Sequence, residues 1–270
     1  MSGRLASGAE EAGRLDRGDG VELAWRRRAG RGPGVVFLGG FNSDMTGTKA
    51  EALSALCAAQ GRAFLRFDYS GHGASGGRFI DGTIGRWAAD AACVIDALTA
   101  GPVVLVGSSM GGWIALLLAA RLRPARVAGL VGIAAAPDFT RRIGEGLAPE
   151  ARAAIDRDGV WHRPSAYGDP TPITCALLRE GERHVLLDAP IPLAIPVRLL
   201  HGQGDPDVPW QLSLTVAERI AGPDVAVTLV KDGDHRLSRP QDLALLCRTL
   251  AALLGEDGGQ PLAVGGVPPG

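Results

Sequence analysis

The stretch Gly101–Leu122 constrains the fold of this 270-residue chain more than any other. An apolar run, Val103–Val106, leads into Gly107-Ser108-Ser109-Met110-Gly111, and an apolar helical pattern, Gly111–Leu122, follows at once. Such a run suits a strand covered on both faces. The turn from strand to helix is so tight that side chains two residues either side of the serine would strike neighbouring backbone. Gly107 and Gly111 remove them, and the Ser109 hydroxyl projects above the sheet edge. It stands at a helix N-terminus, where developing negative charge is favoured. A GxSxG in this strand–turn–helix setting reads as a nucleophile elbow.

The rest of the chain keeps the same rhythm. Val21–Trp25 alternates and reads as an early edge strand. Val35–Leu38, Ala63–Phe67, Val127–Ile133, Val197–Leu200 and Val225–Val230 read as further strands. Helical patterns fall between them at Thr48–Gln60, Ile84–Thr99, Gln211–Ala221 and Gln241–Leu254. The alternation predicts an α/β chain with a mostly parallel, doubly wound sheet and right-handed crossovers. Pro137 to Pro196 is far longer than an ordinary connection. It reads as a cap insertion over the C-terminal sheet edge, where open α/β sheets bind ligands. Pro149–Arg157 and Pro172–Glu180 look helical within it; Trp161, His162 and Tyr167 also lie there. Its apolar members, such as Ile143, Leu147, Leu177, Leu178 and Leu187, need surfaces to cover. Residues 1–18 and 255–270 read as flexible tails around a folded domain, 19–254.

A serine hydroxyl is a weak nucleophile without a base. His235 follows the last strand directly, in Lys231-Asp232-Gly233-Asp234-His235. His72, His162, His184 and His201 are less well placed: a turn before the elbow, the cap, and the end of a strand before the acid. The acid that orients the base is expected after the penultimate strand. Gly202-Gln203-Gly204-Asp205-Pro206-Asp207-Val208-Pro209 offers two carboxylates, and the HGxxDxxVP spacing favours Asp205 over Asp207. The chain order Ser109, Asp205, His235 suits this architecture. An oxyanion hole needs two backbone N–H groups. Met110 and Phe41, the latter in the loop after Val35–Leu38, are the candidates. Arg66–Gly76 (RFDYSGHGASG) reads as a buttressing turn without chemistry, and Trp87 and Trp113 read as core.

Composition excludes other classes. The formal net charge is −1 with signs interspersed, so no phosphate-binding stripe exists and nucleic acid is not expected as a partner. Cys57, Cys93, Cys175 and Cys247 are widely spaced and read as free thiols of a reducing compartment. The histidines show no metal-ligand spacing, and neither metal nor organic cofactor is expected. The longest apolar run, Trp113–Ala120, is too short to span a bilayer. Residues 1–19 show neither the apolar core of a signal peptide nor, given Glu10, Glu11, Asp16 and Asp19, a transit peptide. A cytoplasmic location is expected.

With these residues in hand, the chain resembles a subfamily of the α/β-hydrolases, the mitochondrial palmitoyl-protein thioesterases that are also acyl-glucuronide esterases. The resemblance runs from about Gly34 to Leu254. It rests on RFDYSG (Arg66–Gly71), GPVVLVGSSMGG (Gly101–Gly112), GVWHRP (Gly159–Pro164), PIPLAIPVRLLHG (Pro190–Gly202) and DHR (Asp234–Arg236). It implies an α/β-hydrolase fold and a triad of Ser109, Asp205 and His235. It also implies cleavage of long-chain acyl thioesters from cysteine, and of carboxylic esters including acyl glucuronides. The chain departs from that subfamily in its start, and a composition rich in Gly, Ala and Arg suits a bacterial relative. Serine at position 109 excludes the carboxylate nucleophile of dehalogenases and epoxide hydrolases. Narrower alternatives are an esterase for small esters or acyl glucuronides only, a perhydrolase or acyltransferase using the same triad, or a non-catalytic hydrolase-like binding module.

Overall fold

The computed structural model describes residues 9–164 and 169–255. It opens with three strands, β1 (Glu11–Asp16), β2 (Glu22–Arg28) and β3 (Arg31–Leu38), followed by α1 (Thr48–Ala59), β4 (Arg62–Phe67) and α2 (Ile84–Leu98). The elbow segment supplies β5 (Val103–Ser108) and α3 (Met110–Leu117), and then β6 (Val127–Ile133). The insertion holds α4 (Phe139–Glu145), α5 (Pro149–Asp158), β7 (Val160–Arg163), β8 (Thr171–Thr174) and α6 (Cys175–Gly181). The chain returns through β9 (Val197–Gly202), α7 (Gln211–Arg219), β10 (Val225–Val230) and α8 (Pro240–Leu253).

Eight strands form one sheet in the order β1-β2-β4-β3-β5-β6-β9-β10. Strand β2 runs antiparallel to both neighbours and the remainder is parallel, so the expected doubly wound α/β sheet is present. Two apolar cores form on its faces. One gathers α2 and α3 with Trp87 and Trp113, both fully buried; the other gathers α1 and α8 around Phe37, Phe64 and Leu250. Strands buried on both faces are Val-, Leu- and Ile-rich for this reason. Order reverses between β3 and β5, whose carboxyl ends carry the candidate site, as expected for an open α/β sheet.

The structure corrects several sequence expectations. Residues 11–16, expected in a tail, form β1 against β2. Leu15 packs on the core, Gly13 makes room for the Trp25 ring, and Glu11 pairs with Arg27 across the strands. The β2 strand is therefore not an edge. Glu10 and Glu51 both bond the buried Arg66 guanidinium, which fixes the chain just before β1. Pro172–Thr174 is strand rather than helix, and helix begins only at Cys175. Helix α3 ends at Leu117 and passes into a π turn, Leu118–Leu122. The remaining tail residues 1–8 and 256–270, and Tyr167, lie outside the described residues.

The insertion is fastened at both ends. The Asp138 carboxylate accepts the N–H groups of Leu186 and Leu187, each at 3.0 Å. Arg141 bonds Glu182 and Asp188. The indole of Trp113 donates to the His184 carbonyl at 3.1 Å, and Arg121 donates to the Val185 carbonyl at 2.8 Å. Between these fastenings β7 and β8 form an antiparallel ribbon. Among the described residues no helix is long and apolar enough to cross a membrane. None of the four cysteines is in a disulfide; Cys57 and Cys247 are buried and the other two half-buried.

Candidate active site

Ser109 occupies the turn between β5 and α3 with φ 52° and ψ −115°, a strained left-handed backbone for a residue with a Cβ. The surroundings over-determine it. Its N–H donates to the Ile133 carbonyl at 2.9 Å, and its carbonyl accepts the Ala136 N–H at 3.1 Å. A Cβ on Gly107 would enter the Gly111 carbonyl, and one on Gly111 would enter the Leu38 carbonyl. These are the collisions that the glycine spacing avoids.

His235 approaches from the loop after β10. Its Nε2 lies 3.2 Å from Ser109 Oγ and its Nδ1 lies 2.7 Å from Asp205 Oδ2. An ionised carboxylate only accepts, so Nδ1 carries the proton and Nε2 presents its lone pair to the serine. Asp205 follows β9, its side chain fully enclosed. Its Oδ1 accepts the N–H groups of Asp207 and Val208 at 2.8 and 2.9 Å. Burial pushes the Asp205 pKa up, but hydrogen bonds from His201, His235 and Val208 outweigh it and hold the carboxyl well below the usual range. Asp207 is exposed, and its backbone N–H helps to hold Asp205.

His201 is a site residue the sequence reasoning passed over. It is fully buried; its Nε2 lies 3.1 Å from both Asp205 Oδ2 and the Val208 carbonyl, and its Nδ1 lies 2.7 Å from Ser213 Oγ. Only acceptors face Nε2, so that nitrogen donates. One carboxylate oxygen thus receives two imidazoles. The available signal was the position of His201 four residues before the acid, at the end of a strand that must finish beside it.

The loop after β3 lies against the elbow: a Cβ on Gly40 would stand 3.6 Å from that of Ser109. Neither the Phe41 nor the Met110 N–H reaches an acceptor among the described residues. Ser43 Oγ bonds the Gly40 carbonyl at 2.8 Å, and the Asn42 N–H donates to His72 Nε2 at 3.2 Å. His72 is enclosed; burial lowers its pKa to about 4, against weaker support from the Ser70 carbonyl and Asp90. A neutral imidazole whose Nδ1 faces the Ser70 carbonyl is what an N–H donor at Nε2 requires. Asp68 holds the same loop by accepting the Met45 and Ala74 N–H groups. The RFDYSGHG turn buttresses the loop after β3, which it bonds at Asn42 and Met45.

A cavity of about 800 Å³ opens over these groups. Ser109 and His235 form its floor. Phe41, Phe79, Phe139, Ile143, Leu147 and the β7–β8 ribbon contribute walls. Of the apolar insertion residues, Ile143 and Leu147 line it, Leu177 is buried in the core, and Leu178 lies by a separate groove. Ligand-type atoms of Asp205, Asp207 and His235 lie within 4.8 Å of one another. The four N–H donors on Asp205 already occupy the carboxylate directions that a cation would need.

Residues 35–245 match the family model described as the alpha/beta hydrolase family. The chain belongs to this family of serine hydrolases, and it is an enzyme of that kind. It is 44% identical over 242 residues to the mitochondrial palmitoyl-protein thioesterase ABHD10 of Mus musculus, covering 89% of this chain and 81% of the relative. The solved mouse structure of alpha/beta hydrolase domain-containing protein 10 superposes with a TM-score of 0.85 at 42% identity, covering 91% of this chain and 99% of that one. A hydrolase structure from Agrobacterium vitis S4 matches equally, with a TM-score of 0.85 and 42% identity, covering 91% and 98%.

Proposed function

We propose that this hydrolase cleaves acyl thioesters of the palmitoyl-cysteine type, and carboxylic esters, through an acyl-enzyme on Ser109. The observation that carries the reading is the line Ser109 Oγ, His235, Asp205 at the floor of a cavity whose walls include Phe41, Phe79, Phe139, Ile143 and Leu147. Similarity to relatives named palmitoyl-protein thioesterase supports the thioester class.

His235 Nε2 takes the Ser109 proton as Oγ attacks the acyl carbonyl, giving a tetrahedral oxyanion. The N–H groups of Phe41 and Met110 receive that oxygen, and the N-terminus of α3 adds its partial positive charge. Collapse expels the alcohol or thiol, with His235 supplying the proton. Water then attacks the acyl-enzyme with His235 as base, and Ser109 is regenerated. Asp205 stays ionised throughout, fixing the His235 tautomer and stabilising its charged form. The four cysteines form no disulfide, which suits a reducing compartment such as the cytoplasm.

The test is fluorophosphonate labelling together with turnover of acyl-cysteine thioesters and matched esters of graded chain length. Ser109→Ala should abolish labelling and lower kcat by about four to six orders of magnitude while leaving the fold intact. Labelling that survives at another residue overturns the assignment.

A further inference from the structure

Lysine is scarce in this chain: of 28 basic residues only Lys49 and Lys231 are lysines. Lys231 is exposed, whereas Lys49 is half-buried in the first turn of α1. A cation there opposes the helix dipole. Among the described residues the Lys49 ammonium pairs with no carboxylate. Its hydrogen bonds go to the Arg236 carbonyl at 2.5 Å and to Ser238 Oγ at 3.4 Å, and Ser238 Oγ donates to the same carbonyl at 3.0 Å. That carbonyl belongs to the residue that follows His235.

The loop bearing His235 is locked where it enters. Gly233 packs on Gly202, and its carbonyl accepts the Gly204 N–H at 2.9 Å. Where the loop leaves, Leu237 is buried at φ 42°, a left-handed backbone that is strained for a bulky side chain. The Asp234 carboxylate accepts the Leu237 N–H at 2.9 Å within the loop, and Lys49 ties this side to α1. The anchor is firm. Arg66, on β4, donates to the Met45 carbonyl at 3.1 Å and to Glu51 at 2.5 Å, and Asp68 accepts the Met45 N–H at 2.7 Å. The loop that leads into α1 also carries Phe41.

We propose that Lys49 is a positioning residue for the general base: by holding the Arg236 carbonyl it sets His235 Nε2 against Ser109 Oγ and fixes the base loop relative to the loop of Phe41. The proposal rests on the reading of Ser109 as the nucleophile and adds a residue that acts through the backbone. A compact ammonium with three donors serves carbonyl and hydroxyl together, where a guanidinium is a flat fork. The hold is sensitive to pH. Burial foremost, then the Arg236 guanidinium, lower the Lys49 pKa to about 8, against Asp234 in the loop and Asp242 on α8. Glu51, on its own helix, is bonded to Arg66. As pH rises through 8 the ammonium becomes an amine, whose hydrogen bond is roughly half as strong.

The rate of fluorophosphonate labelling at Ser109, followed from about pH 7 to about pH 10, tests this without a known substrate. Wild-type labelling should fall about 3- to 10-fold on the alkaline side. Lys49→Met keeps the aliphatic stem and should label about 10- to 100-fold more slowly near pH 7, the range of a hydrogen bond to a charged group, with no alkaline fall. Lys49→Arg keeps a charged donor that does not titrate in this range; it should lie between the two and also show no fall. Lys231→Met should match wild type throughout. A role in packing alone would lower thermal stability and leave the alkaline fall in place. Labelling of Lys49→Met at the wild-type rate, or an alkaline fall that persists in either Lys49 variant, overturns the proposal. The low-field proton signal of the His235–Asp205 hydrogen bond reads the same hold by NMR. It should shift or broaden in Lys49→Met. If wild-type Ser109 is not labelled at all, the acyl-hydrolase reading fails, and this signal decides on Lys49: displaced, it supports the proposal; unchanged, it refutes it.

Discussion

Asp205→Asn separates the two carboxylates of the HGxxDxxVP loop. The Asp205 carboxylate accepts four hydrogen bonds, two from backbone N–H groups on Oδ1 and two from imidazoles on Oδ2. A carboxamide has a single oxygen. If it keeps the backbone pair, its NH2 confronts His235 Nδ1–H and His201 Nε2–H, donor against donor. His235 must then flip to the tautomer whose Nε2 bears the proton, and Ser109 loses its base. The expected loss in kcat is on the order of 10⁴. The His201 Nε2–H keeps the Val208 carbonyl, and the Nδ1 of the flipped His235 accepts from the carboxamide, so the loss of stability should be no more than about 1–3 kcal/mol. A domain with about 5–15 kcal/mol of stability survives this, so activity is measurable on folded protein. Asp205 has a depressed folded pKa; its contribution is complete above the unfolded carboxyl value and is lost as pH falls toward the folded one. Asp205→Asn should therefore flatten the acid side of the stability profile. The assays are kcat on a neutral acyl thioester, and denaturant unfolding between pH 3 and pH 7, for Asp205→Asn and Asp207→Asn. If Asp207→Asn carries the large loss, or Asp205→Asn stays within about tenfold of wild type against the roughly 10⁴ expected, the tautomer argument is wrong.

Other residues give sharper separations between chemistry and scaffold. His201→Phe removes one donor from Asp205 Oδ2 and should lower kcat/KM about 10- to 100-fold, with a displaced pH profile; His201→Gln, which can still donate, should recover part of it. His72 has its folded pKa lowered to about 4 from 6.5, so the unfolded chain binds the proton first as pH falls. Its stabilising contribution is whole above pH 6.5 and declines through pH 4, by about 3 kcal/mol. His72→Asn should abolish that slope in pH-dependent unfolding. Ile143→Ala and Leu147→Ala should move the acyl chain-length profile of kcat/KM, one methylene being worth about 1–3 kcal/mol in an apolar pocket. A uniform fall at all chain lengths would show that these walls do not touch the acyl chain.

The α/β sheet was legible because strands buried on both faces leave apolar runs that little else produces. The elbow was legible because Gly107 and Gly111 are demanded by backbone collisions. What escaped notice depended on contacts remote in sequence. Strand β1 is polar and offers only Leu15 to the core, so its pairing is set by Trp25 and Arg27 of its neighbour. Pro172–Thr174 looked like a helix start, and Pro is at home there, but pairing with β7 keeps the segment extended. His201 carried only its place four residues before the acid. Its role is defined by sharing that acid with a histidine 34 residues away.

The fastenings of the insertion have a consequence for how such enzymes diverge. The anchoring bonds fall at Asp138, Arg141 and residues 182–188, close to the sheet and to Trp113. The β7–β8 ribbon that walls the cavity lies between them in sequence and contributes none of them. Mutations in the ribbon can therefore accumulate without transmitting strain to the elbow, the acid or the base. The architecture behaves as a fixed reaction centre with an exchangeable recognition cassette. Transplanting the ribbon between related hydrolases is the route by which a new acyl preference could arise while the rate of the chemical step is inherited unchanged.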